Sequence, residues 1–120
     1  MIYTTPKDFD LFKKECKKII DLLGLHEWDY IFYHADIQSD SDCTSFRDGK
    51  SIILRLGKQI DKYDKTKIQM IKELAMHEVF HVLIEPLYHH AKNRNFNESS
   101  YRQNEHAVIH RLQKVFKELI

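Results

Sequence analysis

The chain has 120 residues, of which 42% are hydrophobic and 31% are charged, and its formal net charge is +1. This length and balance exclude an intrinsically disordered chain and favour a single globular domain over residues 1–120. The small net charge gives no broad electrostatic footprint for nucleic acid, and no apolar segment is long enough to cross a bilayer. We therefore expect neither a nucleic-acid nor a membrane partner.

The N-terminal segment, MIYTTPKDFD, has no basic stretch followed by a hydrophobic one, so the sequence predicts no signal peptide and a cytoplasmic location. Cys16 and Cys43 are too few, and too unlike a CxxC pair, to suggest a disulfide framework or a thiolate zinc site. We expect both to be reduced thiols.

The first predicted element is a helix over residues 7–23. Apolar residues recur there at helical spacing, and the run stops at Gly24, a residue that commonly follows a helix. Five lysines lie opposite the apolar face, and we interpret them as a solvated face rather than a track for phosphates. The apolar face comprises Phe9, Phe12, Cys16, Ile19 and Leu23, and the lysines are Lys7, Lys13, Lys14, Lys17 and Lys18.

Three strands are predicted next. Residues 28–37 are rich in aromatic and β-branched side chains, which favour strands. Residues 43–47 and 50–56 flank Asp48-Gly49, a dipeptide typical of tight hairpin turns. The sequence thus predicts a small, three-stranded, mainly antiparallel sheet whose last two strands form a hairpin.

Two further helices are predicted. Residues 64–85 form a long helix that ends near Pro86, because a proline ring disfavours helical backbone at the residue before it. A polar, turn-rich segment follows, and Ser100 with Gln103 makes a capping box that begins a final helix over residues 101–119. The order α-β-β-β-α-α predicts an α+β fold.

The sequence HEVFH lies in the first of these two helices and contains His77, Glu78 and His81. Residues four apart share one helix face, so both histidines can direct an imidazole nitrogen at one metal ion roughly 2.0 Å away. Catalytic zinc usually has three protein ligands and one open position, so this interpretation requires a third ligand elsewhere in the chain.

The final helix offers that ligand. Glu105 falls within an apolar stripe, where an unpaired carboxylate would cost several kcal/mol, so its position calls for a cation nearby. We therefore rank Glu105 first as third ligand and keep His106, on the flank of the stripe, as its competitor. The stripe comprises Tyr101, Val108, Leu112, Val115 and Leu119, and we predict that His26, His34, His89, His90 and His110 are surface or hydrogen-bonded residues.

These residues carry a resemblance to a known family. His77-Glu78-x-x-His81 on a helix, followed by Glu105 on a later helix, resembles the zincin metallopeptidases of the gluzincin kind, and Asn104-Glu105 is similar to the Asn-Glu pair of thermolysin-like enzymes. The small size and element order are most similar to minimal zincins, such as ImmA/IrrE-like proteins and small metallopeptidases of phages and mobile elements. The resemblance covers residues 28–115.

The resemblance implies a zincin-like fold and a zinc-dependent hydrolysis of peptide bonds. In that scheme Glu78 takes a proton from the attacking water and passes it to the leaving amine. Tyr88, Tyr101 and His89 are open candidates for stabilising the oxyanion. The strand at residues 51–56, or its neighbour, would be the edge to which an extended substrate adds.

The expected partners are a protein or peptide substrate and a regulatory protein, and a monomer is expected. The alternative interpretation is a catalytically inactive, zinc-binding interaction module derived from a zincin. A metal position closed by four protein ligands would favour that module, whereas an open position beside Glu78 would favour the peptidase.

Overall fold

The computed structural model describes residues 1–92 and 97–119, except for the side chains of residues 89–92, 101, 115, 118 and 119. These residues form an α+β domain with three helices and two small sheets, in agreement with the predicted fold class. In chain order the elements are β1 (Ile2–Tyr3), α1 (Pro6–Leu23), β2 (Asp29–Ala35), β3 (Ser41–Phe46), β4 (Ser51–Gly57), β5 (Gln59–Ile60), α2 (Lys67–Lys92) and α3 (Glu98–Leu119).

Helix α1 begins and ends where the sequence predicts, within one residue. The Thr5 hydroxyl accepts a hydrogen bond from the Asp8 backbone N–H, and the Asp8 carboxylate accepts one from the Thr5 N–H, so the first turn has a complete capping box. Gly24 closes the helix in the left-handed region at φ 68°, a conformation that glycine adopts without steric cost. The apolar face of α1 packs against α2.

The main sheet has the strand order β2-β4-β3, in which β4 pairs with β2 in parallel and with β3 antiparallel. The prediction of a mainly antiparallel sheet is therefore wrong, although the β3–β4 hairpin is confirmed. Strand β4 takes the central position because it carries the most apolar pattern, with Ile52, Leu54 and Leu56 fully buried.

The hairpin turn is longer than the predicted Asp48-Gly49 turn. Phe46 pairs with Ser51, so four residues form the loop, and the left-handed residue is Lys50 at φ 48°. A two-residue type I′ turn would require positive φ at both Asp48 and Gly49.

A second sheet, which the sequence analysis did not predict, joins β1 to β5 antiparallel. The Thr4 hydroxyl, next to β1, donates to the Gly57 carbonyl at 2.6 Å and lies 2.7 Å from His34 Nε2. This contact holds the N-terminal residues against the end of β4.

Helix α2 continues through Pro86 to Lys92, so the predicted end near Pro86 is wrong. A proline inside a helix removes one backbone hydrogen bond but does not prevent the chain from continuing when later residues have partners. Tyr88 supplies such a contact, because its hydroxyl donates to Glu98 and its ring stacks against Arg102 of α3. The motif consequently lies near the middle of α2.

Helix α3 begins at Glu98, three residues before the predicted start. The Asn97 side chain accepts a hydrogen bond from the Ser100 backbone N–H at 3.1 Å, so Asn97 caps the helix and the predicted capping box of Ser100 and Gln103 is wrong.

Buried residues of α1, β4, α2 and α3 form one hydrophobic cluster. Cys16 and Cys43 are both free thiols, as predicted. Among the described helices, none is long and apolar enough to span a membrane.

Candidate metal centre

His77 and His81 lie on the face of α2 that is turned away from its most buried residues. Val79, Phe80 and Val82 are almost fully buried in the core, whereas both histidines are half-buried. The two imidazole centroids are 5.0 Å apart, as expected for residues four apart on one helix. The local sequence thus turns one face into the core and holds two imidazole rings on another.

Helix α3 adds a third histidine to this pair. The ring centroid of His106 is 5.3 Å from that of His77 and 4.8 Å from that of His81. One potential ligand atom from each of the three lies within 4.8 Å of the others. Among the described side chains of α3, His106 is therefore the one that forms a potential ligand group with both motif histidines.

The Nδ1 atoms of both motif histidines face other side chains. His77 Nδ1 is 3.2 Å from Gln113 Oε1, and His81 Nδ1 is 2.5 Å from Glu105 Oε1. Each contact leaves Nε2 as the nitrogen available to a metal ion, which is the common arrangement in protein zinc sites. Burial, followed by the neighbouring His81, lowers the pKa of His77 to about 4, so this imidazole is neutral near pH 7.

Glu105 is buried, as its place in the predicted stripe required, with 1% of its side chain exposed. Oε1 accepts hydrogen bonds from His81 Nδ1 and from Arg102 at 2.8 Å, while Oε2 is buried and has no hydrogen-bond partner among the described residues. Burial alone would raise the pKa of Glu105, but His81 and Arg102 outweigh it and lower that pKa. The carboxylate is thus charged, and its role as a metal ligand stays a prediction.

Glu78 is 5% exposed and lies beside His77 in the wall of a cleft. The Ser41 hydroxyl, at the start of β3, donates to Glu78 Oε2 at 2.6 Å. Burial raises the pKa of Glu78 to about 7, against the opposing effects of Ser41 and His81. A carboxyl group with this pKa can both accept and release a proton near neutral pH.

Two cavities flank the motif. A cleft of about 650 Å³ touches His77 and Glu78, and a cavity of about 410 Å³ touches His81 and Glu105. Strand β3 passes both, since Ser41 lines the first cavity and Cys43, Thr44 and Ser45 line the second.

The remaining histidines lie largely where the sequence predicted. His110 is exposed, although its ring centroid is 5.3 Å from that of His77. His26 is exposed beside Asp21, and His34 contacts Thr4. The predictions for the side chains of His89 and His90, and for Tyr101 as an oxyanion stabiliser, fall outside the described side chains.

The residues present fit a zinc ion in donor chemistry. Imidazole nitrogen and carboxylate oxygen are both common zinc ligands, and the orphaned Oε2 of Glu105 is a buried anionic oxygen that a nearby cation would stabilise. Two nitrogens on one tetrahedral zinc ion are about 3.3 Å apart. Closing the three-histidine group on a metal therefore needs ring shifts on the order of 1 Å.

Three contributors to the site were missed by the sequence analysis: Ser41, Arg102 and Gln113. Gln113 lies four residues after Ile109 on the buried face of α3, but the predicted stripe passed through Val108 and Leu112 and so did not include it. Ser41 had no signal in the sequence, because only the strand order places it against Glu78.

Comparison of the chain with protein-family models, curated proteins and solved structures finds no match.

Proposed function

We propose that the chain is a zinc-dependent metallopeptidase that hydrolyses peptide bonds, with His77 and His81 holding the ion together with one side chain of α3. One observation carries the proposal. Nδ1 of each motif histidine contacts a side chain of α3, which leaves Nε2 available, and the buried Glu78 lies beside His77 in the wall of a cleft. These features support a HExxH site, in which each ligating histidine is oriented through its other ring nitrogen and the glutamate accepts a proton.

The chemistry divides between the ion and the chain. A bound zinc ion supplies Lewis acidity, which makes water nucleophilic near neutral pH. Glu78 accepts the proton of the attacking water and delivers it to the leaving amine. Because the Ser41 hydroxyl binds Oε2, Oε1 is the atom that would carry this proton.

Two side chains of α3 compete for the third ligand position. His106 is favoured by its place in the group with His77 and His81. Glu105 is favoured by its buried charge and its unpartnered Oε2. If His106 is the ligand, Glu105 instead orients His81 through Nδ1, as carboxylates commonly do for zinc-bound histidines.

Strand β3 is the proposed docking edge for an extended peptide substrate. The predicted strand at residues 51–56 is central in the sheet, so both of its edges are already paired. Its neighbour β3 lies at an edge of the sheet and contacts α2. A peptide that added to β3 would pass both cavities and cross the motif between them.

A second candidate function is an inactive zinc-binding interaction module. The observation that favours it is the position of Glu78, which is 5% exposed and already bonded to Ser41. A carboxylate held in this way could serve the fold rather than a reaction.

The test combines metal content with peptide cleavage. We expect the wild type to bind about one zinc ion, and His77→Ala or His81→Ala to abolish this binding. Glu78→Gln should retain zinc and the fold but lose nearly all cleavage of a peptide library, because an amide cannot accept the proton. The matched control is Glu15→Gln, which neutralises a mostly buried glutamate of α1 that is ion-paired to Lys18 and Lys72.

The outcomes separate the candidates. Undiminished zinc content in both histidine variants would refute the metal site. A wild type that binds zinc but cleaves no member of the library favours the interaction module.

A further inference from the structure

Gln113 connects α3 to the turn of α2 that precedes His77. The residue is 9% exposed, and its side chain makes two contacts. Nε2 donates to the Glu73 backbone carbonyl at 2.8 Å, and Oε1 lies 3.2 Å from His77 Nδ1. Glu73 is four residues before His77, so its carbonyl is also the helical acceptor of the His77 backbone N–H.

These two contacts determine which way the amide points. A carbonyl oxygen can only accept a hydrogen bond, so the group that faces the Glu73 carbonyl must be the NH2 of Gln113. The amide oxygen is then the atom that faces His77, and it too can only accept. His77 Nδ1 must therefore carry the hydrogen in this contact.

A neutral imidazole has one N–H, so a proton on Nδ1 leaves the lone pair on Nε2. This is the tautomer that can bind a metal through Nε2. A solvated neutral histidine favours the opposite tautomer, with the hydrogen on Nε2. The contact with Gln113 thus reverses the intrinsic preference of the ring.

We propose that Gln113 is a positioning residue that fixes the Nδ1–H tautomer and the ring orientation of His77 in the metal-free protein. The purpose of this tautomer, metal binding through Nε2, rests on the proposed zinc site. Its Nε2 contact prevents the amide from turning over and presenting a donor to His77. The turn that provides this carbonyl is itself held, since the Glu73 carboxylate binds Lys65 and Lys117.

The first test reads the tautomer directly in the metal-free protein. Long-range proton–nitrogen NMR correlation of the ¹⁵N-labelled wild type near neutral pH should show His77 protonated on Nδ1. Gln113→Leu should shift His77 toward the Nε2–H form, whereas Gln113→Glu, which keeps an acceptor facing the ring, should retain Nδ1–H. The control is Gln103→Leu, the same replacement at an exposed position of α3.

The second test measures zinc affinity by competition with a chromogenic chelator. Loss of a group that orients a metal-bound histidine typically costs about 10- to 100-fold in affinity, and we expect this loss for Gln113→Leu but not for Gln103→Leu. A merely structural role for Gln113 would lower thermal stability without changing the tautomer.

Two results would overturn the proposal: a wild-type His77 protonated on Nε2, or a folded Gln113→Leu variant whose tautomer and zinc affinity both match the wild type. If Gln113→Leu does not fold, Gln113→Met, which is closer to glutamine in shape and likewise has no amide oxygen, replaces it in both tests. If the wild type shows the Nδ1–H form but binds no zinc, the proposed function fails while the tautomer assignment stands.

Discussion

The two roles open to Glu105 can be separated by changing Glu105 to Leu, which is similar in size but has no charge and no hydrogen-bond acceptor. The carboxylate makes charge-assisted hydrogen bonds to His81 and to Arg102, and such bonds contribute about 1.5–3 kcal/mol each. Losing the orientation of His81 alone should therefore weaken zinc binding about 10- to 100-fold. If Glu105 is itself a ligand, the loss should exceed that range.

The assay is zinc affinity by chelator competition, with His106→Ala measured in parallel. A larger loss in His106→Ala assigns the third position to His106, and a larger loss in Glu105→Leu assigns it to Glu105. Thermal unfolding of the metal-free variants checks that both fold. A change of less than about threefold in Glu105→Leu would refute the reasoning, because neither role of the carboxylate would then matter to the metal.

Two further predictions concern stability. Ile109→Ala, at a fully buried position, should lower the free energy of unfolding measured by denaturant titration by about 2–4 kcal/mol. Val108→Ala, at a position that is 45% exposed, should lower it by less than about 0.5 kcal/mol. Equal costs would mean that α3 faces the core differently. Burial raises the pKa of Glu73, but the ion pairs with Lys117 and Lys65 have the larger combined effect and lower this pKa in the folded protein. These ion pairs therefore stabilise the fold above pH 4.5, the pKa of the carboxyl group in the unfolded chain. The stabilisation disappears as the pH falls through the lowered pKa of the folded protein. Glu73→Gln should accordingly cost about 0.5–1 kcal/mol at pH 7 and progressively less as the pH falls below 4.5, and a cost that does not decrease with pH would contradict this origin.

Local signals in the sequence were sufficient for the bounds of α1 and for part of the site. Thr5, Gly24 and the apolar spacing of α1 act within a few residues, and so does the spacing of His77 and His81. The arrangement of strands could not be predicted in the same way. A period of two specifies which face of a strand is buried, but it does not specify which strand lies next to it.

The rotation of α3 was mispredicted for a related reason. Val108 and Ile109 are both β-branched and adjacent, so the sequence allows either one to face the core. The buried face is marked by two polar residues, Glu105 and Gln113, which weaken the amphipathic pattern that would have identified Ile109. Polar residues placed inside for a site therefore obscure the signal from which the site could be found.

The extension of α2 beyond Pro86 could not be predicted from local rules either. The rule that a proline ends a helix describes the local cost of the ring. It does not include the contacts that Tyr88 makes with Glu98 and Arg102, which lie ten and more residues further along the chain.

The strand order has a consequence for a chain that is being synthesised. Each residue of β2 pairs with a residue of β4 that follows it by 22 positions, whereas the β3–β4 hairpin closes over a four-residue loop. On the ribosome, β2 emerges before any strand that can pair with it, and β3 and β4 can join each other as soon as both are outside the exit tunnel. A completed hairpin must then dock as a unit against a waiting, largely aromatic strand. Until the hairpin docks, the backbone N–H and C=O groups on the edge of β2 that meets β4 have no strand partner.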